Sequence, residues 1–243
     1  MSLQFNIISL FPEYFRGPLS CGTLRIAQDK GAIKINIINP RDSIKDGIVD
    51  DYQFGGGAGM VLKLEPLLKA INEVKKEDSL IINFTPTGAM LNQKMVKEFV
   101  KKNNIILVCG RYKGIDERLA KLFLIKEISI GDYVLSGGES ATIILIEAIS
   151  RLLPGVLGHI DSAEEDSLQN GLLSAPVYTR PANYKNISVP EILISGNHQA
   201  IARWRRRESI RKTLKERPDL LPDVTFSKQD LAILMEVLNG KKS

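Results

Sequence analysis

Apolar residues along the chain gather into short runs rich in isoleucine and valine, most of them closed by a proline or glycine turn. Residues 5–10 read as a first strand, ended by Phe11-Pro12, and residues 33–38 as a second, stopped by Asn39-Pro40. Residues 80–84, 105–108 and 125–130 are three further apolar strands. Between them the apolar period turns helical over residues 25–30, 95–101, 115–123 and 141–153. Pro66 reads as a first helical residue, followed by a stripe of Leu67, Leu68, Ile71 and Val74. Strand and helix in alternation, joined by short loops, predict an α/β domain with a mainly parallel sheet.

The pattern fails at residues 159–175, HIDSAEEDSLQNGLLSA, where four acidic residues, serines and a glycine make a poor core segment. We read a linker that is mobile without a ligand. Pro176, Pro181 and Pro190 then punctuate irregular chain, and residues 198–215 form a strongly basic helix. After Pro222, Ser227 with Asp230 resembles a capping box that opens a last helix, with Leu231, Leu234, Met235 and Leu238 on one face. The resulting division is a domain at 1–158, a linker at 159–175 and a small helical domain at 176–243.

Charge sharpens this division. From Arg203 to Arg217 eight Lys/Arg face two glutamates, a local +6 in a chain whose net charge is +5. The rest is near neutral, so a polyanion partner is expected for part of the molecule. Cys21 and Cys109 form no CxxC, and His159 and His198 are the two histidines, so no zinc site is supported. Mean hydropathy is −0.04, without a long apolar run, and the N-terminus lacks a basic signal region. A cytoplasmic protein is expected.

Three strand ends run into glycine-bearing loops: residues 85–88, those after Cys109, and those after Ile130. Glycine lets main-chain groups approach a ligand closely, and ligands of α/β sheets bind beyond the carboxyl ends of the strands. The loops read either as one pocket or as ordinary tight turns. The stretch DDYQFGGGAGM, residues 50–60, is neither a P-loop nor GxGxxG. It reads equally as a flexible loop or as a backbone cradle.

GRYKGIDERL, SIGDYVLSGGE, LPGVLG, SAEEDS, YTRP and SGNH followed by WRRRES occur in one order, together with the FGGGAGM loop. This ordered set, spanning residues 5 to about 221, resembles the bacterial tRNA (guanine-N1)-methyltransferases of the SPOUT superfamily, which act next to the anticodon. The resemblance implies a C-terminal trefoil knot in the α/β domain, a flexible linker and a small all-helical domain. It also implies a homodimer with the active site shared between subunits, S-adenosylmethionine as methyl donor, tRNA as substrate, and room for Mg2+. By motif, the donor would be held by Pro86, Thr87 and Gly88; by Gly110, Arg111 and Tyr112; by Ile130, Gly131, Asp132, Tyr133, Val134 and Leu135; and by Gly137 and Gly138. The two tyrosines would shape the pocket.

Methylation at guanine N1 requires removal of the N1 proton and stabilisation of the charge that develops at O6. Asp166 matches the family's general base and Arg151 its cationic partner. Arg203, Arg205, Arg206, Arg207 and Arg211 would hold the tRNA backbone, while Trp204 would stack on a base or anchor its helix. The chain departs from the family pattern at Lys113, Ser174 and Ala141, and Gln53-Phe54 stands where many relatives have Pro-Tyr. The first two departures remove carboxylates that would face the donor's amino group. The rival readings are a SPOUT ribose 2′-O-methyltransferase, which needs no base at a guanine nitrogen, and a non-catalytic RNA-binding protein.

Overall fold

Burial on both faces of the isoleucine-rich runs builds the central sheet. In a computed structural model, which describes residues 2–158 and 166–240, five strands pair in parallel. They are β1 (Leu3–Ile8), β2 (Ile33–Ile38), β5 (Leu80–Met90), β6 (Asn104–Val108) and β7 (Ile125–Ser129), in the order β2-β1-β6-β5-β7. Phe5, Ile7, Ile105 and Leu107 face one apolar layer, and Ile8, Ile106 and Val108 face the other. Each such side chain, fully buried, contributes about 2 kcal/mol. Buried polar groups in the sheet find partners: Asn6 Nδ2 donates to Asn104 Oδ1 at 2.7 Å, and Asn36 Nδ2 donates to Asn6 Oδ1 at 3.2 Å.

Helices cover both layers. On the first lie α2 (Gly22–Asp29), α4 (Gln93–Phe99) and α6 (Glu139–Ser150); a short α1 (Arg16–Leu19) precedes α2. On the second lie α3 (Leu64–Val74) and α5 (Arg118–Leu122). Pro66 stands in the first turn of α3, two residues later than expected, where its missing N–H costs nothing. The helix expected at 115–123 begins at Arg118, because Ile115 bridges Leu62 and Asp116 N–H donates to the Leu62 carbonyl at 3.1 Å.

Two strand boundaries differ in a way that matters. The turn expected after Phe84 is a bulge inside β5: pairing with β7 stops at Phe84 and resumes at Ala89. Residues 85–88 are thereby thrown out of the ladder at the sheet's carboxyl edge. The glycine-rich stretch is the tip of an antiparallel hairpin, β3 (Asp50–Tyr52) with β4 (Met60–Leu62), and not a free loop.

The chain divides into two compact units, Met1–Ile160 and Asp161–Ser243. The second has its own small core of Leu172, Ile210 and Ile233 between α7 (His198–Glu216) and α8 (Lys228–Leu238). The capping box at Ser227 and Asp230 is present. Helices do not account for all of it, because β8 (Asn183–Tyr184) and β9 (Ile187–Ser188) pair as a short hairpin. Of the stretch read as linker, residues 159–165 lie outside the described residues. Leu172, within the stretch read as linker, is 1% exposed and belongs to this core.

Candidate active site

Beyond the carboxyl ends of β5, β6 and β7 the three glycine-bearing loops surround a cavity of about 370 Å3. The bulge contributes Thr85, Pro86 and Thr87. The loop after β6 contributes Gly110, Arg111 and Tyr112, and the loop after β7 contributes Ile130, Gly131, Tyr133, Val134 and Leu135, then Gly137 and Gly138. Of the residues expected to hold the donor, Gly88 and Asp132 do not line it. Gly88 serves the wall indirectly: a methyl there would overlap the backbone of Ile128, so glycine is what lets the bulge rejoin β7.

Close packing of main chain makes the cavity floor. Gly138 N–H donates to the Gly110 carbonyl at 3.1 Å, and a Cβ on Gly138 would sit 2.8 Å from Cys109 Cα. A methyl on Gly137 would overlap Arg111 Nε and Glu139 Oε2. Tyr112 has φ of +60°, left-handed backbone that a bulky residue seldom adopts. Its ring and that of Tyr133 are half exposed; Tyr133 Oη donates to the Ile130 carbonyl at 3.2 Å. Both rings shape the opening.

Arg111 spends its side chain beneath the loop. Its Nε donates to Glu139 Oε1 at 3.2 Å, and its guanidinium lies 4.4 Å from the Phe11 ring centre. Glu139, 1% exposed, also accepts from Ser9 Oγ at 2.9 Å. Cys109 is 2% exposed, with Sγ 3.2 Å from Thr142 Oγ1, and burial pushes its thiol far above the usual range. It stays a neutral packing group, as expected from its place at the end of an apolar strand.

Asn83 is among the lining residues that lie outside the motifs. It is 5% exposed and sits within the apolar run of β5, and its Oδ1 has no hydrogen-bond donor. A polar residue inside LIINF was the available signal, since a buried amide oxygen is costly unless something donates to it. Glu117 and Glu127 also line the cavity. Among the described residues no group of three or more His, Cys, Asp or Glu is placed to hold a metal ion.

Arg151 is exposed at the C-cap of α6, whose other end supplies Ala141 to the cavity. At the helical rise, ten residues put Arg151 about 15 Å along the axis from Ala141. The chain thus holds Arg151 away from the cavity that its own loops build. Asp166 is half-buried in the second unit, where its backbone carbonyl accepts from Gln169 N–H at 3.3 Å. The glycine hairpin is stitched to the loop after β6: Lys113 N–H donates to the Met60 carbonyl at 2.9 Å, and Leu62 N–H to the Gly114 carbonyl at 3.0 Å. At its tip Phe54 is 99% exposed.

On α7 the candidate phosphate contacts divide. Arg203 Nη2 donates to Glu236 Oε1 at 2.6 Å, and Arg211 Nε to Glu208 Oε2 at 2.8 Å. Arg206 donates Nε to Asp230 Oδ1 at 2.6 Å and Nη2 to Oδ2 at 3.0 Å. Each of these three guanidiniums thus has a carboxylate partner within the unit. Arg205 is exposed, Arg207 and Trp204 half-buried.

The family model described as tRNA (guanine-1)-methyltransferase TrmD matches residues 3–223. A protein of Dictyoglomus turgidum, named tRNA (guanine-N(1)-)-methyltransferase, is 49% identical over 237 residues, covering 97% of this chain and 96% of its own. Proteins of the same name from Citrifermentans bemidjiense and Geotalea uraniireducens are each 46% identical over 239 residues. They cover 97% of this chain, and 96% and 97% of their own.

Proposed function

This chain belongs to the TrmD family of tRNA (guanine-1)-methyltransferases, and from that premise we propose that it moves a methyl group from S-adenosylmethionine to N1 of the guanine 3′ to the anticodon, position 37. The observation that carries the reading is the cavity of main chain at the ends of three parallel strands. The residues fit such a donor. Glycines 110, 137 and 138 leave room for a flat ring system against backbone. Glu117 and Glu127 bring carboxylates to the lining, in keeping with a donor that carries an ammonium and a sulfonium, and offset the carboxylate missing at Lys113. Bound there, S-adenosylmethionine supplies an electrophilic methyl.

The remaining chemistry falls to the protein. Asp166 takes the N1 proton of guanine, and Arg151 stabilises the charge that develops at O6. The exposed Phe54 ring on the glycine hairpin offers a face to the target base. Because Arg151 stands at the far end of α6 from the cavity its own chain builds, the proposal includes a homodimer in which each site draws on both subunits. It also includes a trefoil knot. The chain after β7 passes against the Cys109–Gly110 backbone with no side chain between, and α6 then packs with α2 and α4 on the first layer. We place the work in the cytoplasm, with residues 176–243 as a tRNA-binding domain.

The test separates the roles of cavity and acid. D166A is expected to abolish methyl transfer to tRNA while calorimetry shows S-adenosylmethionine binding nearly as in the parent. Loss of donor binding in D166A would contradict the assignment of Asp166 as base.

A further inference from the structure

We propose that the cleft between Tyr178, Arg180 and Arg205 in the C-terminal unit is a nucleotide subsite that takes one unpaired base of the RNA together with its flanking phosphates. The inference rests on the reading of tRNA as substrate and adds a place where the RNA is gripped. It begins from the ion pairs of α7. Arg203, Arg206 and Arg211 each have a carboxylate partner in their own unit, at 2.6, 2.6 and 2.5 Å. No carboxylate among the described residues pairs with Arg205, nor with Arg180. These two exposed guanidiniums come from segments 25 residues apart in sequence, yet line one cleft of about 430 Å3. No acidic side chain lines it, so the cleft carries an uncompensated double positive charge.

Between the cations lie groups that a base would cover. Tyr178 is 50% exposed, and Val177 and Ile194 are 91% and 65% exposed. An open aromatic ring beside two guanidiniums is the chemistry of base stacking joined to phosphate pairing. The size lies in the range of about 300–1,000 Å3 usual for small-ligand sites. A base stacked in duplex RNA cannot enter, so the occupant is a nucleotide from a loop or a bulge.

Fluorescence anisotropy with the full-length protein and an unmodified tRNA transcript tests this. R180Q and R205Q are each expected to weaken binding and to lower the slope of log K against log salt by about one. Y178A is expected to weaken binding about tenfold, while Y178F binds as the parent does. R205K, which keeps the charge, retains most of the affinity and guards against a folding artefact. R217Q, whose guanidinium pairs with Asp219 at 2.7 Å, serves as the control and stays within about twofold. Parental affinity and salt slope in R180Q and R205Q, or parental affinity in Y178A, would overturn the proposal. So would loss of dimerisation in these variants with tRNA affinity unchanged, which would make the cleft a subunit contact. If the variants weaken tRNA binding but the parent forms no methylguanosine, the methylation reading fails and the cleft stands.

Discussion

Arg111 Nε donates to Glu139 Oε1 at 3.2 Å, and this pair joins the loop after β6 to the first turn of α6 from below. Glu139 is buried, and truncating one member of such a pair leaves the other charge uncompensated. E139A is expected to lower stability by about 3 kcal/mol in urea unfolding and to weaken donor binding at least tenfold. E139Q, which still accepts from Ser9 and Arg111, should recover much of both. Equal loss in the two variants would show that volume and not hydrogen bonding is what matters there.

Gly138 permits a backbone crossing that no side chain can occupy. A Cβ there would lie 2.8 Å from Cys109 Cα and 3.4 Å from the Val108 carbonyl, and neither neighbour can swing away. G138A is expected to separate the loop after β6 from α6 and to abolish donor binding, whereas G158A, in open space, leaves it unchanged.

Arg206 holds the Asp230 carboxyl down to about 2, below the usual 3.8, with help from the Ser227 hydrogen bonds. A depressed carboxylate contributes stability above its unfolded pKa and loses it as pH falls through the folded one. Asp230 should therefore support the C-terminal unit fully above about pH 5 and lose about 2 kcal/mol of support between pH 4 and pH 2. Urea unfolding followed by circular dichroism reads this window. D230N is expected to unfold more easily at pH 7 and to show a shallower fall in acid.

The sheet was legible because apolar runs such as residues 105–108 are short, β-branched and closed by glycine. The layers followed from the same alternation, which sends Ile105 and Ile106 to opposite faces. The bulge in β5 was not legible. Thr85-Pro86-Thr87-Gly88 carries the signature of a turn, and what keeps it in the strand is contact between Gly88 and Ile128, far away in sequence. The cavity loops could be named from glycines and from the family motifs, yet Asn83 stayed hidden, since a polar residue in a strand has meaning only once its neighbours are known. Sequence also counted the arginines of α7 without revealing which were matched by Asp230, Glu208 and Glu236. Leu172 passed for linker because one apolar residue among acids and serines gives no period to read.

The most direct measurement is nucleoside mass spectrometry of an unmodified tRNA transcript bearing guanine at position 37, incubated with the full-length protein and S-adenosylmethionine. The predicted product is 1-methylguanosine at that position, absent when Asp166 is replaced by alanine. A 2′-O-methylated nucleoside, or no methylated nucleoside at all from a protein that binds both donor and tRNA, would contradict the account.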